Sequence, residues 1–186
     1  MARFHDPEHG GFFTTAHDAE QLVVRAKDLF DNATPSAGSL AADGLLRLGA
    51  LTGERRWEEP ALGVLRLVRR GLEQAPSALA HALVAVDRVV HPPLEVAVVG
   101  DPGAPGTAAL LVAVWGRELP GAVRLGARPG TGAERTPLLA DRGLVDGLPT
   151  AYVCSGFACE RPVTDARALT AQLDASLTHG RADAAS

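Results

Sequence analysis

Leu94-Glu95-Val96-Ala97-Val98-Val99-Gly100-Asp101-Pro102-Gly103 is where the chain changes its period. The run is rich in β-branched residues and lies between Pro93 and a Gly-Asp-Pro-Gly turn, so it reads as a buried strand entering a tight turn. A helical pattern from about Pro105 to Gly116 and a short strand near Ala122 to Gly126 follow, giving a β-α-β unit whose crossover is expected to be right-handed. The fold is therefore mixed α/β.

Upstream of this stretch the period is helical. Thr34 or Ser36 can cap a first helix around Pro35, in which Ala41, Leu45 and Leu48 recur until Thr52-Gly53 stops it. A second helix from about Trp57 to Gln74 puts Ala61, Leu65, Val68 and Leu72 on one face, with Glu58, Arg66, Arg69 and Glu73 off it. A third carries Leu79, Leu83, Val86 and Val90 and ends at Pro92-Pro93. Short connections make antiparallel hairpins the natural packing. Before these helices, Phe4 to Thr14 sets turn formers between aromatic ends, as a β-hairpin or tight loop does. His5 and His9 have the separation of a helical zinc pair, but Pro7 between them and Gly10-Gly11 after them rule out the helix.

Downstream, Ala127 to Asp146 reads as an irregular, mobile surface loop and Ala151 to Cys154 as another short strand. Thr164 is placed to cap a last helix with Ala166, Leu169 and Leu173 on one face, and the tail after His179 is expected to fray. The expected divisions are 1–92, 93–178 and 179–186.

Composition narrows the function class. Of 186 residues 46% are hydrophobic and 22% charged, with a net charge of −4, which suits a soluble globular protein. No basic stripe is interleaved with aromatics, so nucleic acid is not an expected partner. Apolar stretches stop short of the roughly 18 to 20 residues a membrane span needs, and the start Met1-Ala2-Arg3-Phe4-His5-Asp6 has no apolar leader pattern. A cytoplasmic location is the expectation.

Three stretches carry a family resemblance. They are Arg25-Ala26-Lys27-Asp28 to Phe30-Asp31-Asn32-Ala33-Thr34-Pro35-Ser36-Ala37-Gly38-Ser39 with Leu45 to Leu48 and Leu51-Thr52-Gly53, then Val96 to Asp101, then Ala151-Tyr152-Val153-Cys154-Ser155-Gly156-Phe157-Ala158-Cys159-Glu160-Arg161-Pro162-Val163-Thr164-Asp165. Together they resemble the carboxy-terminal part of the thioredoxin domain-containing proteins that include the spermatogenesis-associated thioredoxin-like proteins of animals. The resemblance implies a longer parent with an amino-terminal thioredoxin-like domain and an (α/α)6 toroid of the six-hairpin glycosidase type, similar in shape to N-acylglucosamine 2-epimerases. Residues 1–92 would then be the last hairpins of an incomplete toroid, and 93–178 a small βαβ cap with a carboxy-terminal helix. The implied role is carbohydrate-type metabolism, incomplete without the parent. The competing class is a non-enzymatic interaction or structural domain that docks a thioredoxin-like partner. Two positions depart from the family phrase: Asn32 stands where glycine is usual, and Gly38 where asparagine is usual, which removes a side-chain amide from the helix mouth.

Candidate ligand-binding residues follow. Asp31, Ser36 and Ser39 either face a toroid cavity and bind a sugar-like ligand, or cap and brace the first helix. Arg25 and Lys27 either meet an anionic substrate or pair with Asp28 and Asp31. Asp6, Glu8, Asp28 and Asp31 are the acids available for glycoside hydrolysis, and no spacing selects a pair among them. Gly100, Gly103 and Gly106 form a strand-to-helix turn without a full dinucleotide or phosphate-loop pattern.

Cys154 and Cys159 are the redox candidates. They lack the Cys-x-x-Cys spacing and the helix N-terminal placement that activate thiols, which favours reduced structural cysteines in a cytoplasm over a redox disulfide. A metal shared with His179 would lack its four ligands, so no metal or other cofactor is expected. The expected partners are the rest of the toroid or a thioredoxin-like domain.

Overall fold

The computed structural model describes residues 2–20, 23–91, 93–132, 136–155 and 158–183, with side chains to Leu177. The chain divides into two compact units, Met1–Val90 and His91–Ser186.

The first unit opens on a loop closed by an antiparallel bridge between His5 and Phe12. Three helices follow: α1 (Ala37–Thr52), α2 (Glu58–Gln74) and α3 (Ala80–Val90), joined through 3-10 turns at Arg55–Trp57 and Pro76–Leu79. Ser36 is extended and its hydroxyl accepts the Ser39 N–H, which caps α1; Gly53 ends the helix in the left-handed conformation at φ 68°. The core is made of Ala42, Leu45, Ala61, Val64, Leu65, Val68, Leu79, Ala82 and Ala85.

This core corrects two of the expected faces. On α1 the buried set includes Ala42, Leu45 and Gly49, while Leu48 is 41% exposed. On α3 it is Ala82 and Ala85; of the expected set Leu79 is buried in the preceding 3-10 turn and Val86 packs against the core, while Leu83 and Val90 are outside. Small residues face inward because they let the helix axes approach closely. The larger side chains are turned outward as a result.

The second unit is a four-stranded sheet in the order β2-β1-β3-β4, with β1 at Glu95–Val99, β2 at Val123–Ala127, β3 at Thr150–Ser155 and β4 at Ala158–Cys159. β1 runs parallel to β2 across α4 (Pro105–Trp115) and antiparallel to β3. Alternation sends Val96, Val98, Ala151 and Val153 to one face, where Leu110 and Val114 of α4 and Leu169 and Leu173 of α5 (Ala166–Asp183) cover them. Asp165, rather than Thr164, caps α5, accepting the N–H groups of Arg167 and Ala168 at 3.0 and 2.9 Å. The helix continues to Asp183, past the expected fraying point at His179, whose side chain is outside the described set, as are residues 184–186.

The other face carries Glu95, Ala97, Val99, Thr150, Tyr152 and Cys154. The segment expected to be a mobile surface loop covers it. A 3-10 turn at Pro137–Leu139 buries Leu138 and Leu139, Thr150 Oγ1 accepts the Val145 N–H, and the Tyr152 hydroxyl donates to the Gly143 carbonyl. Residues 133–135 of this segment lie outside the described set.

Candidate functional site

In the first unit the expected ligand residues are drawn into the scaffold. Asp31 Oδ1 accepts the Ser36 N–H at 2.8 Å, and Oδ2 accepts the His81 N–H at 2.7 Å. Burial opposes ionisation of Asp31, but those two N–H groups and the hydroxyls of Ser39 and Ser36 outweigh it and hold the carboxyl below its ordinary range. Ser36 and Ser39 are buried and bonded to each other, Oγ to Oγ at 2.9 Å. Asp28 receives the Ala37 N–H on its carboxylate at 2.8 Å and the Gly38 N–H on its carbonyl at 3.0 Å.

Arg25 and Lys27 bond to groups other than Asp28 and Asp31, the acids one of the two expected readings gave them. Arg25 donates to the Thr15 carbonyl at 2.8 Å and stacks 3.9 Å from the Phe13 ring centroid. Lys27 Nζ donates to the Gly10 carbonyl at 2.6 Å and pairs with Asp6 at 2.8 Å, both side chains largely buried. Lys27 above all, with the N–H groups of His9 and Glu8, holds the Asp6 carboxyl well below the usual carboxylate range. These charges pin the opening loop to the chain that follows it. Sequence reasoning missed Asp43, which sits between Arg88 on α3 and Arg47 on its own helix.

Two features of the second unit remain. A depression of about 250 Å³ lies over the carboxyl ends of the parallel strands, lined in part by Gly100, Thr107, Gly126 and Arg128. Asp101 Oδ1 accepts the Gly103 N–H at 2.9 Å, which makes the glycine segment a side-chain-braced turn.

The second feature is the cysteine pair. The β3–β4 register sets Cys154 directly opposite Cys159, and their sulfurs are joined in a disulfide, a difference from the reduced pair favoured by spacing alone. Arg142 Nη2 stands 3.0 Å from the Cys154 sulfur and 3.2 Å from the Cys159 sulfur. The guanidinium is held by the Leu138 carbonyl and lies 5.5 Å from the Tyr152 ring. Glu95, opposite Cys154 on β1, shares this face. Burial pushes its carboxyl upward against the opposing pull of Arg142. Among the described residues, no group of three or more His, Cys, Asp or Glu side chains is placed to hold a metal, and no helix is long and apolar enough to cross a membrane.

No family model matches the chain, and no solved structure does. The chain is similar to spermatogenesis-associated protein 20 of Rattus norvegicus and of Homo sapiens, 31% identical over 166 residues in each case, covering 87% of this chain and 21% of theirs. An uncharacterized protein of Caenorhabditis elegans is 28% identical over 157 residues, again 21% of its length. The chain spans about a fifth of the length of the curated relatives it matches, which fits a piece of a larger protein related to spermatogenesis-associated protein 20.

Proposed function

We propose that this chain is the carboxy-terminal part of a thioredoxin domain-containing protein, that α1 to α3 belong to an (α/α)6 toroid of the six-hairpin type, and that the chain acts by completing that ring. Carbohydrate-type chemistry, in this reading, needs the assembled parent. The supporting observation is the outward apolar surface of the helices. Leu40 and Leu48 on α1 are 51% and 41% exposed, and Leu83 and Val84 on α3 are 42% and 41% exposed. Between the two leucines of α1 lies Gly44, where a Cβ would meet nothing within 4 Å, so no packing among the described residues requires the glycine. A bare mid-helix glycine flanked by exposed leucines suits the close approach of another helix.

The candidate sugar ligands support the same division of labour. Asp31, Ser36 and Ser39 each make hydrogen bonds at the starts of helices, which suits a bracing role in this chain.

Light scattering with a hydrophobic dye tests the reading. The isolated chain should self-associate or bind dye, and Leu40→Lys with Leu83→Lys should abolish both without loss of helical signal. A monodisperse monomer that binds no dye would overturn it. Titration with N-acylhexosamines, followed by tryptophan fluorescence, should show no saturable binding to this chain alone; saturable binding would return the sugar site to Asp31 and its neighbours.

A further inference from the structure

We propose that Cys154 and Cys159 form a thiol–disulfide exchange site, in which Cys159 receives the incoming thiolate and Cys154 departs as a thiolate beside the Arg142 guanidinium. Three independent features point to it. The register places the cysteines opposite each other at the end of the sheet, Cα atoms 4.0 Å apart, so the bond can form and break without moving either strand far. The two residues differ in exposure: Cys154 is 3% exposed, whereas Cys159 is on the surface. One cation serves both sulfurs, and it is fixed in place by its own hydrogen bond to Leu138 and its contact with Tyr152.

A structural disulfide has no use for a guanidinium at its sulfurs, since an oxidised pair carries no charge and accepts hydrogen bonds weakly. A thiolate does, because a neighbouring cation stabilises it and makes it a better leaving group. Arginine suits the task because it stays charged at any working pH, even where burial weakens its hold on the proton.

The co-reactant is a dithiol. One of its thiols gives its proton to solvent, and the resulting thiolate attacks the Cys159 sulfur. The bond to Cys154 breaks with its electron pair going to the Cys154 sulfur, leaving a mixed disulfide at Cys159. The second thiol of the partner then loses its proton, attacks the partner's own sulfur in that mixed disulfide and expels Cys159 as a thiolate. The pair gains two electrons, and two protons once both thiolates are neutralised, while the partner becomes a disulfide. The chemistry does not depend on the ring proposed for α1 to α3.

The test uses the full chain with dithiothreitol as dithiol and glutathione as monothiol, read by maleimide gel shift. Reduction should go to completion under native conditions with circular dichroism unchanged. Cys154→Ser, which leaves Cys159, should form a mixed disulfide with oxidised glutathione, and Cys159→Ser should form little. Arg142→Gln should slow reduction by dithiothreitol several-fold, because the departing thiolate loses its neighbouring cation, and Arg142→Lys should recover part of the rate. Three results would each overturn the proposal: a pair that reduces only when denaturant unfolds the chain, equal reactivity of the two single-serine variants, or a wild-type rate in Arg142→Gln.

Discussion

The carboxylate of Asp31 accepts the backbone N–H of His81, 50 positions along the chain, at 2.7 Å. The same carboxylate accepts the N–H of Ser36 just before α1, so one side chain satisfies donors at the starts of two helices. Asp31→Ala should therefore cost more than an ordinary cap, about 2 to 3 kcal/mol, and Asp31→Asn an intermediate amount because an amide keeps only one acceptor atom. The folded carboxyl lies below its ordinary value of 3.8. Its contribution is fully present above that value and is lost as pH falls through the folded one. The gap between wild type and Asp31→Asn in urea denaturation should hold from pH 7 to about pH 5 and narrow below pH 4.

Two glycines of α1 should respond in opposite directions to alanine. A Cβ at Gly38 would lie 2.8 Å from the Asp28 carbonyl oxygen, a backbone atom already committed to the Gly38 N–H. Gly38→Ala should destabilise the first unit by about 1 to 3 kcal/mol. Gly44→Ala meets open space and should stabilise the isolated chain by about 0.5 to 1 kcal/mol through helix propensity. Denaturation followed at Trp57, in a Trp115→Phe background, isolates the first unit.

What was legible in the sequence was local. A cap for α1 at Thr34 or Ser36, which the fold gives to Ser36, Gly53 ending the helix and the strand at Glu95–Val99 each follow from a few neighbouring residues. The buried faces of α1 and α3 are legible only in part: Leu45 and Leu79 are buried as their spacing suggests, but periodicity counts large apolar residues, whereas this core also takes Ala42, Gly49, Ala82 and Ala85 and turns Leu48 and Leu83 outward. Arg142 gave no signal at all. Its partners come 12 and 17 residues later, and only the folding of the 137–148 segment over the sheet brings them together. The cysteine pairing was not legible either: the spacing favoured reduced thiols, and it is the antiparallel register of β3 and β4 that sets Cys154 opposite Cys159.

Asp43 and Arg88 form an ion pair between α1 and α3 with side chains only 10% and 6% exposed. Removing Asp43 takes a counter-charge from a guanidinium held away from water, so Asp43→Ala should cost on the order of 3 kcal/mol. Replacing both by apolar residues of similar volume, Asp43→Leu with Arg88→Met, should cost much less than the single change. A double-mutant cycle in urea denaturation separates the two cases, and additive losses would show the pair to be uncoupled.

Glu95 predicts the opposite pH behaviour in the second unit. Burial pushes its carboxyl above the ordinary value of 4.5, with Arg142 pulling the other way. The folded state therefore holds this proton more tightly than the unfolded chain does. Its contribution to stability is complete below pH 4.5 and is lost as pH rises through the folded value. Glu95→Gln removes the charge while keeping the shape, so the variant should melt higher than wild type at pH 7. That advantage should disappear near pH 4, where both side chains are neutral. Thermal melts between pH 4 and 8, followed at Trp115 in a Trp57→Phe background, measure the difference directly. A gap independent of pH would mean that attraction to Arg142 balances the cost of burying the carboxylate, and a lower melting temperature for Glu95→Gln at pH 7 that it outweighs it.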